Sequence, residues 1–118
     1  MSVEIKKNII EMTRGDTLKV PIKINYLDEN NEVQEYIPQE GDQIRFAVKK
    51  NYNDAGILIC KEIPWNTCEL VLNPADTKCL EQPAVYVYDI QITLNNGFVA
   101  TIIGSKQKAK LKIIEEVA

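Results

Sequence analysis

The stretch of sequence that decides the fold is residues 84–94, which reads AVYVYDIQITL. Its even positions, from Ala84 to Leu94, hold apolar or aromatic side chains, whereas its odd positions include Asp89 and Gln91. An apolar residue at every second position is the period of a β-strand that buries one face. Because this is the longest such alternation in the chain, it predicts a central strand and an all-β fold.

The residues that follow this stretch predict a β-hairpin. The segment Asn95-Asn96-Gly97 contains an Asn-Gly pair, which tolerates the positive φ angles of a type I′ turn. We therefore expect residues 98–103 to pair back against residues 84–94.

Two-residue alternation continues over most of the remaining chain. It predicts further strands at residues 8–12, 17–26, 32–37, 43–49, 57–63, 67–72 and 109–113. Pro21 cannot donate a hydrogen bond to a neighbouring strand, so residues 17–26 are expected at a sheet edge or at a bulge. Asn73 and Pro74 have the residue types favoured at a helix N-cap and first turn, and they predict one short helix that ends near Leu80.

About seven to nine short strands separated by turns are typical of an immunoglobulin-like antiparallel β-sandwich. We expect a single domain of this class over residues 1–118, with a small open barrel as the alternative. The short helix followed by a long strand that contains Tyr86 resembles the connection between strands E and F of such sandwiches. Tyr88 stands where antibody domains have their second cysteine, and Trp65 falls in a predicted loop, so the antibody core signature is absent.

Composition and charge exclude several classes of function. The chain has 118 residues, of which 45% are apolar and 26% charged, as in ordinary soluble domains. A net charge of −3 is too small to favour binding to nucleic acid. The sequence contains no histidine, which is the commonest metal ligand and general base. We therefore expect no metal, no cofactor and no enzymatic activity.

The N-terminus lacks the apolar core of a signal peptide, and no apolar run is long enough to span a bilayer. We therefore expect synthesis in the bacterial cytoplasm and no membrane partner. Three cysteines are present, and their spacing matches neither a zinc ribbon nor a redox pair. Cys60 and Cys68 lie within apolar alternation and are predicted to pack as small hydrophobic residues.

The segment Arg14-Gly15-Asp16 spells the tripeptide that integrins recognise. A glycine beside an aspartate is also what a tight turn requires on conformational grounds. We interpret the segment as an ordinary turn at an exposed hairpin tip.

Residues 28–42 form an acidic stretch with six carboxylates and no basic residue. Asp28, Asn30 and Glu32 begin like a calcium-binding loop, but Val33 replaces the glycine and Gln39 the final glutamate of that motif. The stretch is therefore interpreted as solvated loop carboxylates, with a weak cation site as the alternative.

Four lysines recur at every second position near the C-terminal end, and on a strand they would form one positively charged ridge. They are Lys106, Lys108, Lys110 and Lys112. These lysines are the candidate partner-binding residues, and the acidic stretch of another copy is one partner they would suit, which would give a homo-oligomer. The alternative is that they protect an exposed edge strand from aggregation.

Three stretches together, residues 12–17, 38–49 and 86–92, resemble phage and prophage structural proteins. The resemblance is to the N-terminal immunoglobulin-like domain of tail baseplate upper proteins and to short single-domain relatives. It implies a non-enzymatic virion component that binds other tail or baseplate proteins through its sheet surfaces or edges. The resemblance carries over no catalytic residues.

A rival interpretation is a carbohydrate-binding or adhesin-like module, which would present aromatic side chains on a sheet face or in the loops. Tyr36, Tyr52, Trp65 and Phe98 are the candidates for that role. An enzyme would need paired carboxylates or a nucleophile beside a base, and the sequence offers no such constellation.

Overall fold

The computed structural model describes residues 3–6, 9–81, 83–103 and 109–114. Strands account for most of the ordered elements, which confirms the all-β prediction. The strands are β1 (Val3–Lys6), β2 (Ile9–Thr13), β3 (Leu18–Pro21), β4 (Ile24–Leu27), β5 (Val33–Tyr36), β6 (Gln43–Lys49), β7 (Ile59–Ile63), β8 (Glu69–Leu72), β9 (Ala84–Thr93), β10 (Val99–Ile103) and β11 (Lys110–Ile114), and the helix is α1 (Pro74–Thr77).

The strands form one large sheet and two small ones. The large sheet has the order β1-β2-β11-β9-β6-β7, with β10 also paired to β9, and the small sheets are the pairs β3-β8 and β4-β5. β9 is the stretch of longest alternation, and it pairs with β6, β10 and β11, which confirms the prediction of a central strand. The pairing of β11 with β2 is parallel, which departs from the antiparallel arrangement expected.

The core lies against the inner face of the large sheet. On β9 the side chains of Tyr86, Tyr88, Ile90 and Ile92 are buried, as the alternation predicts. They pack with buried residues of the other strands, including Met12, Leu18, Ile44, Phe46, Val48, Leu70, Leu72, Leu111 and Ile113. Each such side chain contributes roughly 1.5–3 kcal/mol when it is fully buried, so the alternation fixes which face of each strand is inside.

Residues 17–26 form two strands rather than one. β3 pairs with β8, and β4 pairs with β5, because the chain changes sheets after Pro21. Within the described residues β3 has no second neighbour, so the expected edge position of Pro21 is confirmed. Residues 3–13 also form two strands, and the described chain thus has eleven strands where seven to nine were expected.

The hairpin between β9 and β10 is confirmed, but its turn differs from the prediction. Gly97 has a φ of +93°, whereas Asn95 and Asn96 have no positive φ. The backbone N–H of Gly97 donates to the carbonyl oxygen of Leu94. The connection is a three-residue loop with glycine in the left-handed conformation, and a type I′ turn would need two residues with positive φ.

Helix α1 begins where the sequence predicts and ends earlier, at Thr77. The carboxylate of Asp76 accepts a hydrogen bond from the backbone N–H of Asn73 at 2.6 Å, and the same oxygen lies 3.1 Å from Nζ of Lys61. The described helix lacks the length and the apolar character needed to cross a bilayer.

The Arg14-Gly15-Asp16 segment is a turn, as predicted, but it is not an exposed tip. The Arg14 guanidinium donates to the carbonyl oxygen of Lys78 at 2.6 Å, and the N–H of Gly15 donates to the buried Thr77 hydroxyl at 2.8 Å. All three residues are half-buried. The turn packs against the end of α1, and these contacts explain its composition.

The cysteines are free thiols in the described structure. Cys60 is exposed, so its predicted burial is wrong: on β7 it lies opposite Ala47, on the outer face of the sheet. Cys68 is half-buried, and its Sγ donates to the carbonyl oxygen of Ile22 at 3.1 Å, which agrees with the predicted packing role.

Candidate partner-binding surfaces

Two of the four candidate lysines lie on a described strand. Lys110 and Lys112 are on β11, whereas Lys106 and Lys108 lie outside the described residues. Leu111 and Ile113 are buried in the core, so the alternating lysines project from the outer face of the large sheet.

The strand that carries these lysines is internal, so the interpretation that they protect an edge is wrong for Lys110 and Lys112. Lys110 and Lys112 lie opposite Ile9 and Glu11 of β2 on one side. On the other side they lie opposite Val87 and Val85 of β9. Both edges of β11 are thus already paired, because it is inserted between β2 and β9.

The surroundings of Lys112 are partly apolar. Val85 is 57% exposed although it belongs to a central strand, while Glu11 and Ile114 are half-buried. An open cavity of about 400 Å³ is lined by Glu11, Val85, Lys112 and Ile114 together with residues 83, 84 and 113. We call the outer-face residues Ile9, Glu11, Val85, Lys110, Lys112 and Ile114 the β11 face.

Tyr52 borders the β11 face and is fixed by its own contacts. Its hydroxyl donates to the carbonyl oxygen of Ala109 at 2.6 Å, and Nζ of Lys110 lies 5.8 Å from the centre of its ring. Burial raises the pKa of Tyr52, and the negative charge of Asp89 also raises it. Tyr52 therefore packs on this face and is not an exposed platform for a sugar.

Asp89 is half-buried on the same outer face. Its Oδ1 is buried and accepts no hydrogen bond within the described part of the chain. The carboxylate adds negative charge beside Tyr52. The face therefore carries charges of both signs around an apolar centre.

A second surface is an apolar groove between β4 and β10, with a volume of about 300 Å³. Its lining residues are Ile24, Asn25, Tyr26, Tyr36, Ile92, Leu94, Phe98, Ala100, Thr101 and Ile102. We call it the β4–β10 groove. Phe98 is 62% exposed and Tyr26 is 51% exposed, so large apolar side chains reach solvent here.

The groove brings together two of the four aromatic residues proposed for carbohydrate binding. Tyr36 and Phe98 line it, whereas Tyr52 and Trp65 do not. Tyr26 joins them, although it continues the apolar even positions of residues 18–26, a pattern that predicts burial in the core. β4 keeps the alternation of β3 but, among the described strands, pairs only with β5, so Tyr26 lies beyond the closed part of the core.

Asp42 fixes one end of the groove. Its carboxylate accepts hydrogen bonds from the Tyr36 hydroxyl at 2.5 Å, from the N–H of Gln39 at 2.9 Å and from the N–H of Asn95 at 3.1 Å. Burial alone would raise the pKa of Asp42, but these three bonds outweigh it and the pKa is lowered. The sequence analysis missed this role, for which the only local signal was an acid after a turn glycine.

The acidic stretch forms the turn and second strand of the β4–β5 hairpin and the turn that follows it. Asp28 Oδ1 accepts hydrogen bonds from the N–H groups of Asn30 and Glu32, and its Oδ2 accepts one from the Gln34 amide. The backbone bond from Glu32 is the main cause of the lowered pKa of Asp28. This carboxylate closes the hairpin turn, which explains its place in the sequence without a bound cation.

A third cavity, of about 370 Å³, lies at the other end of the large sheet and is lined in part by Lys50, Asp54, Cys79, Glu81 and Tyr86. The Tyr86 hydroxyl there accepts a hydrogen bond from the backbone N–H of Glu81 at 2.8 Å. That hydroxyl holds the chain segment before β9 in place.

The β11 face and the β4–β10 groove differ in chemistry: the β11 face mixes apolar and charged side chains on a flat sheet, whereas the β4–β10 groove is apolar and lies beside an acidic hairpin turn. Comparison of the chain with protein-family models, with curated proteins and with solved structures finds no match.

Proposed function

We propose that this chain is a non-enzymatic structural component of a phage or prophage tail or baseplate, located in the virion, where it binds other tail proteins. The observation that carries the proposal is the β11 face. Val85 is 57% exposed on a central strand, and charged side chains surround it. An apolar centre with a charged rim is the usual composition of a protein-protein interface.

The proposed module is immunoglobulin-like. Two features support this arrangement. The bond from the Glu81 N–H to the Tyr86 hydroxyl has the geometry of the tyrosine corner that precedes strand F in such domains. β9 also pairs with β6 and β11 in one sheet while β3 pairs with β8 in another.

Lys110 and Lys112 give the β11 face a positive charge that would attract an acidic surface. The acidic stretch 28–42 of a neighbouring copy carries the opposite, negative charge. A contact between them would join two different surfaces of the chain. Contacts of this kind produce rings or rows of copies, which suits a component present many times in a particle.

Carbohydrate binding is the second candidate, because Tyr26, Tyr36 and Phe98 line one groove. Most of the other lining side chains are aliphatic, and the Tyr36 hydroxyl is already bonded to Asp42. Sugar sites combine aromatic rings with several polar groups, so the groove suits an apolar occupant better. Binding on a glycan array that is lost in Phe98→Ser would favour the carbohydrate interpretation.

The proposal is tested by incorporation into particles. A Lys110→Glu, Lys112→Glu double variant reverses the charge of the β11 face, and Lys19→Glu, Lys23→Glu makes the same change at two exposed lysines elsewhere. After induction of the prophage, mass spectrometry of purified particles should detect the chain at tail-subunit levels. The first variant should be depleted and the second should not.

The two variants also test contact between copies. If the β11 face binds the acidic stretch of another copy, the first variant should have a lower mass than the second in light scattering. The proposal is wrong if particles contain all the known tail subunits but lack this chain.

A further inference from the structure

β10 is an edge strand that lacks the usual protection against pairing. Among the described strands it pairs only with β9, so no described strand bonds to the backbone groups of its second edge. Its sequence from Phe98 to Ile103 is FVATII, with neither charge nor proline. The outer strands of the same sheet, β1 and β7, each contain a lysine and a glutamate. Natural edge strands usually carry such residues because they prevent unwanted pairing.

The backbone groups that face this open edge can be identified from the register. The N–H of Leu94 donates to the carbonyl oxygen of Phe98 at 2.8 Å, so these facing residues form a hydrogen-bonded pair. Bonded and non-bonded pairs alternate along an antiparallel ladder. Val99, opposite Thr93, and Thr101, opposite Gln91, therefore direct their N–H and C=O groups to the open edge.

The usable part of this edge is short. The register shifts after Thr101, and such an irregularity bends a strand and ends regular pairing. An added strand would thus bond at Val99 and Thr101, beside the exposed Phe98 side chain.

The β4–β10 groove lies along the same strand. Ala100 and Ile102 line it from β10 and Phe98 from the residue just before that strand, while Tyr26 and Tyr36 line it from the β4–β5 hairpin. Alternate side chains of a strand point to one side of the sheet. A strand added to β10 would therefore place every second side chain over the apolar groove.

The charge next to the groove restricts the partner. The turn and strand β5 of the hairpin that forms one wall belong to the acidic stretch 28–42, which has six carboxylates and no basic residue, whereas β4 precedes that stretch. A partner strand with lysine or arginine would be attracted to it. A second copy of β10 would bring no basic residue and would place two acidic hairpins together.

From the open edge, the apolar groove and the nearby acidic residues of the hairpin, we infer that β10 binds an extended segment of another protein as an added strand, with apolar side chains at alternate positions facing the groove and a net positive charge. This inference rests on the proposed function as an interaction module and specifies the chemistry of one partner. Recognition by strand addition derives its affinity from backbone bonds and its selectivity from alternate side chains.

The probe for the test is the synthetic peptide Lys-Val-Lys-Ile-Lys-Val-Lys, with Glu-Val-Glu-Ile-Glu-Val-Glu as its charge-reversed counterpart. Fluorescence anisotropy measures binding to the full chain, and amide hydrogen exchange reports protection at Val99 and Thr101. We expect the lysine peptide to bind, to slow exchange at both amides, and to bind more weakly as salt is added. The glutamate peptide should not bind.

Matched variants locate the site. Val99→Lys places a charge on the edge strand at a residue that is 55% exposed, and Ile57→Lys places one at an aliphatic residue that is 46% exposed and lies outside both candidate surfaces. We expect binding to weaken about fivefold or more in the first variant only. The double variant Glu32→Gln, Glu35→Gln removes two negative charges from the hairpin and should weaken peptide binding. The control double variant Glu62→Gln, Glu81→Gln removes two negative charges at other exposed positions and should not.

Several results would overturn this inference: no binding of the lysine peptide, equal binding of both peptides, binding without protection of the two amides, or self-association that depends on Phe98. Glycan binding that is lost in Phe98→Ser would assign the groove to carbohydrate instead. These failures are distinct from failure of the proposed function. Wild-type chain that enters particles but does not bind the peptide refutes strand addition alone.

Discussion

At the scale of single residues, Asp42 connects the two loops at the end of the β4–β10 groove. Its carboxylate is only 5% exposed and accepts hydrogen bonds from Tyr36 and from the backbone N–H groups of Gln39 and Asn95. The preceding Gly41 has a φ of +97°, and an added Cβ would lie 2.9 Å from Cβ of Asn95. Close approach of these loops therefore depends on both residues.

Asp42→Asn should lower the free energy of unfolding by about 1–3 kcal/mol at neutral pH, because an amide cannot accept all three hydrogen bonds. The pKa of Asp42 is lowered in the folded state. Its stabilising contribution is therefore present above the unfolded pKa of about 3.9 and is lost as the pH falls through the folded pKa.

Urea unfolding over a range of pH measures this effect. The difference between wild type and Asp42→Asn should shrink on acidification below about pH 4, and the exposed Asp54→Asn control should show no comparable difference. A difference independent of pH would show that the charge of Asp42 is not the cause.

Gly41→Ala should destabilise the fold by about 1–3 kcal/mol, since alanine disfavours positive φ and the new methyl group would meet Asn95. Gly56→Ala is the control, because nothing lies within 4 Å of the corresponding Cβ position. Thermal unfolding of both variants measures the effect. Equal melting temperatures would mean that the loops can separate without cost.

At the scale of elements, the alternation of residues predicted which face of a strand is buried but not which strands are neighbours. Residues 84–94 and 98–103 formed a hairpin as expected, because both strands and their turn are adjacent in the sequence. The position of β11 between β2 and β9 could not be predicted, since it depends on pairing with a strand about a hundred residues away. Edge protection was therefore assigned to the wrong strand.

The missing information about strand neighbours also explains why the predicted burial of Tyr26 and Cys60 is wrong. Tyr26 has the alternation of a core residue, but β5 is the one described strand that pairs with β4. Cys60 lies in the apolar run ILIC at residues 57–60, where either alternation is compatible with the sequence. For the candidate sites, a common face for Lys110 and Lys112 was predictable, whereas the addition of Val85 and Glu11 to that face required the strand order.

The element that follows β6 is held to the large sheet by Tyr52. Tyr52→Phe removes the hydroxyl that donates to Ala109 and should cost about 1 kcal/mol of stability. Amide exchange along β11 should become faster as well. Tyr26→Phe, at an exposed tyrosine, is the control, and unchanged exchange in Tyr52→Phe would mean that the loop does not support β11.

At the scale of the whole molecule, the chain buries one face of its large sheet and leaves apolar side chains exposed on two other surfaces. The β11 face is flat and carries both charge signs, whereas the β4–β10 groove joins an unprotected edge to an acidic hairpin. Two surfaces with different chemistry allow one copy to contact two different neighbours. Such a chain would act as a connector within a larger assembly.

Amine-reactive cross-linking of purified, intact particles followed by mass spectrometry tests this function most directly. Lys112, on the β11 face, should form cross-links to another tail subunit or to the acidic stretch of another copy, while Lys19, exposed on β3, should form markedly fewer. Particles that contain the chain but cross-link Lys19 and Lys112 equally, or intact particles that lack the chain, would contradict it.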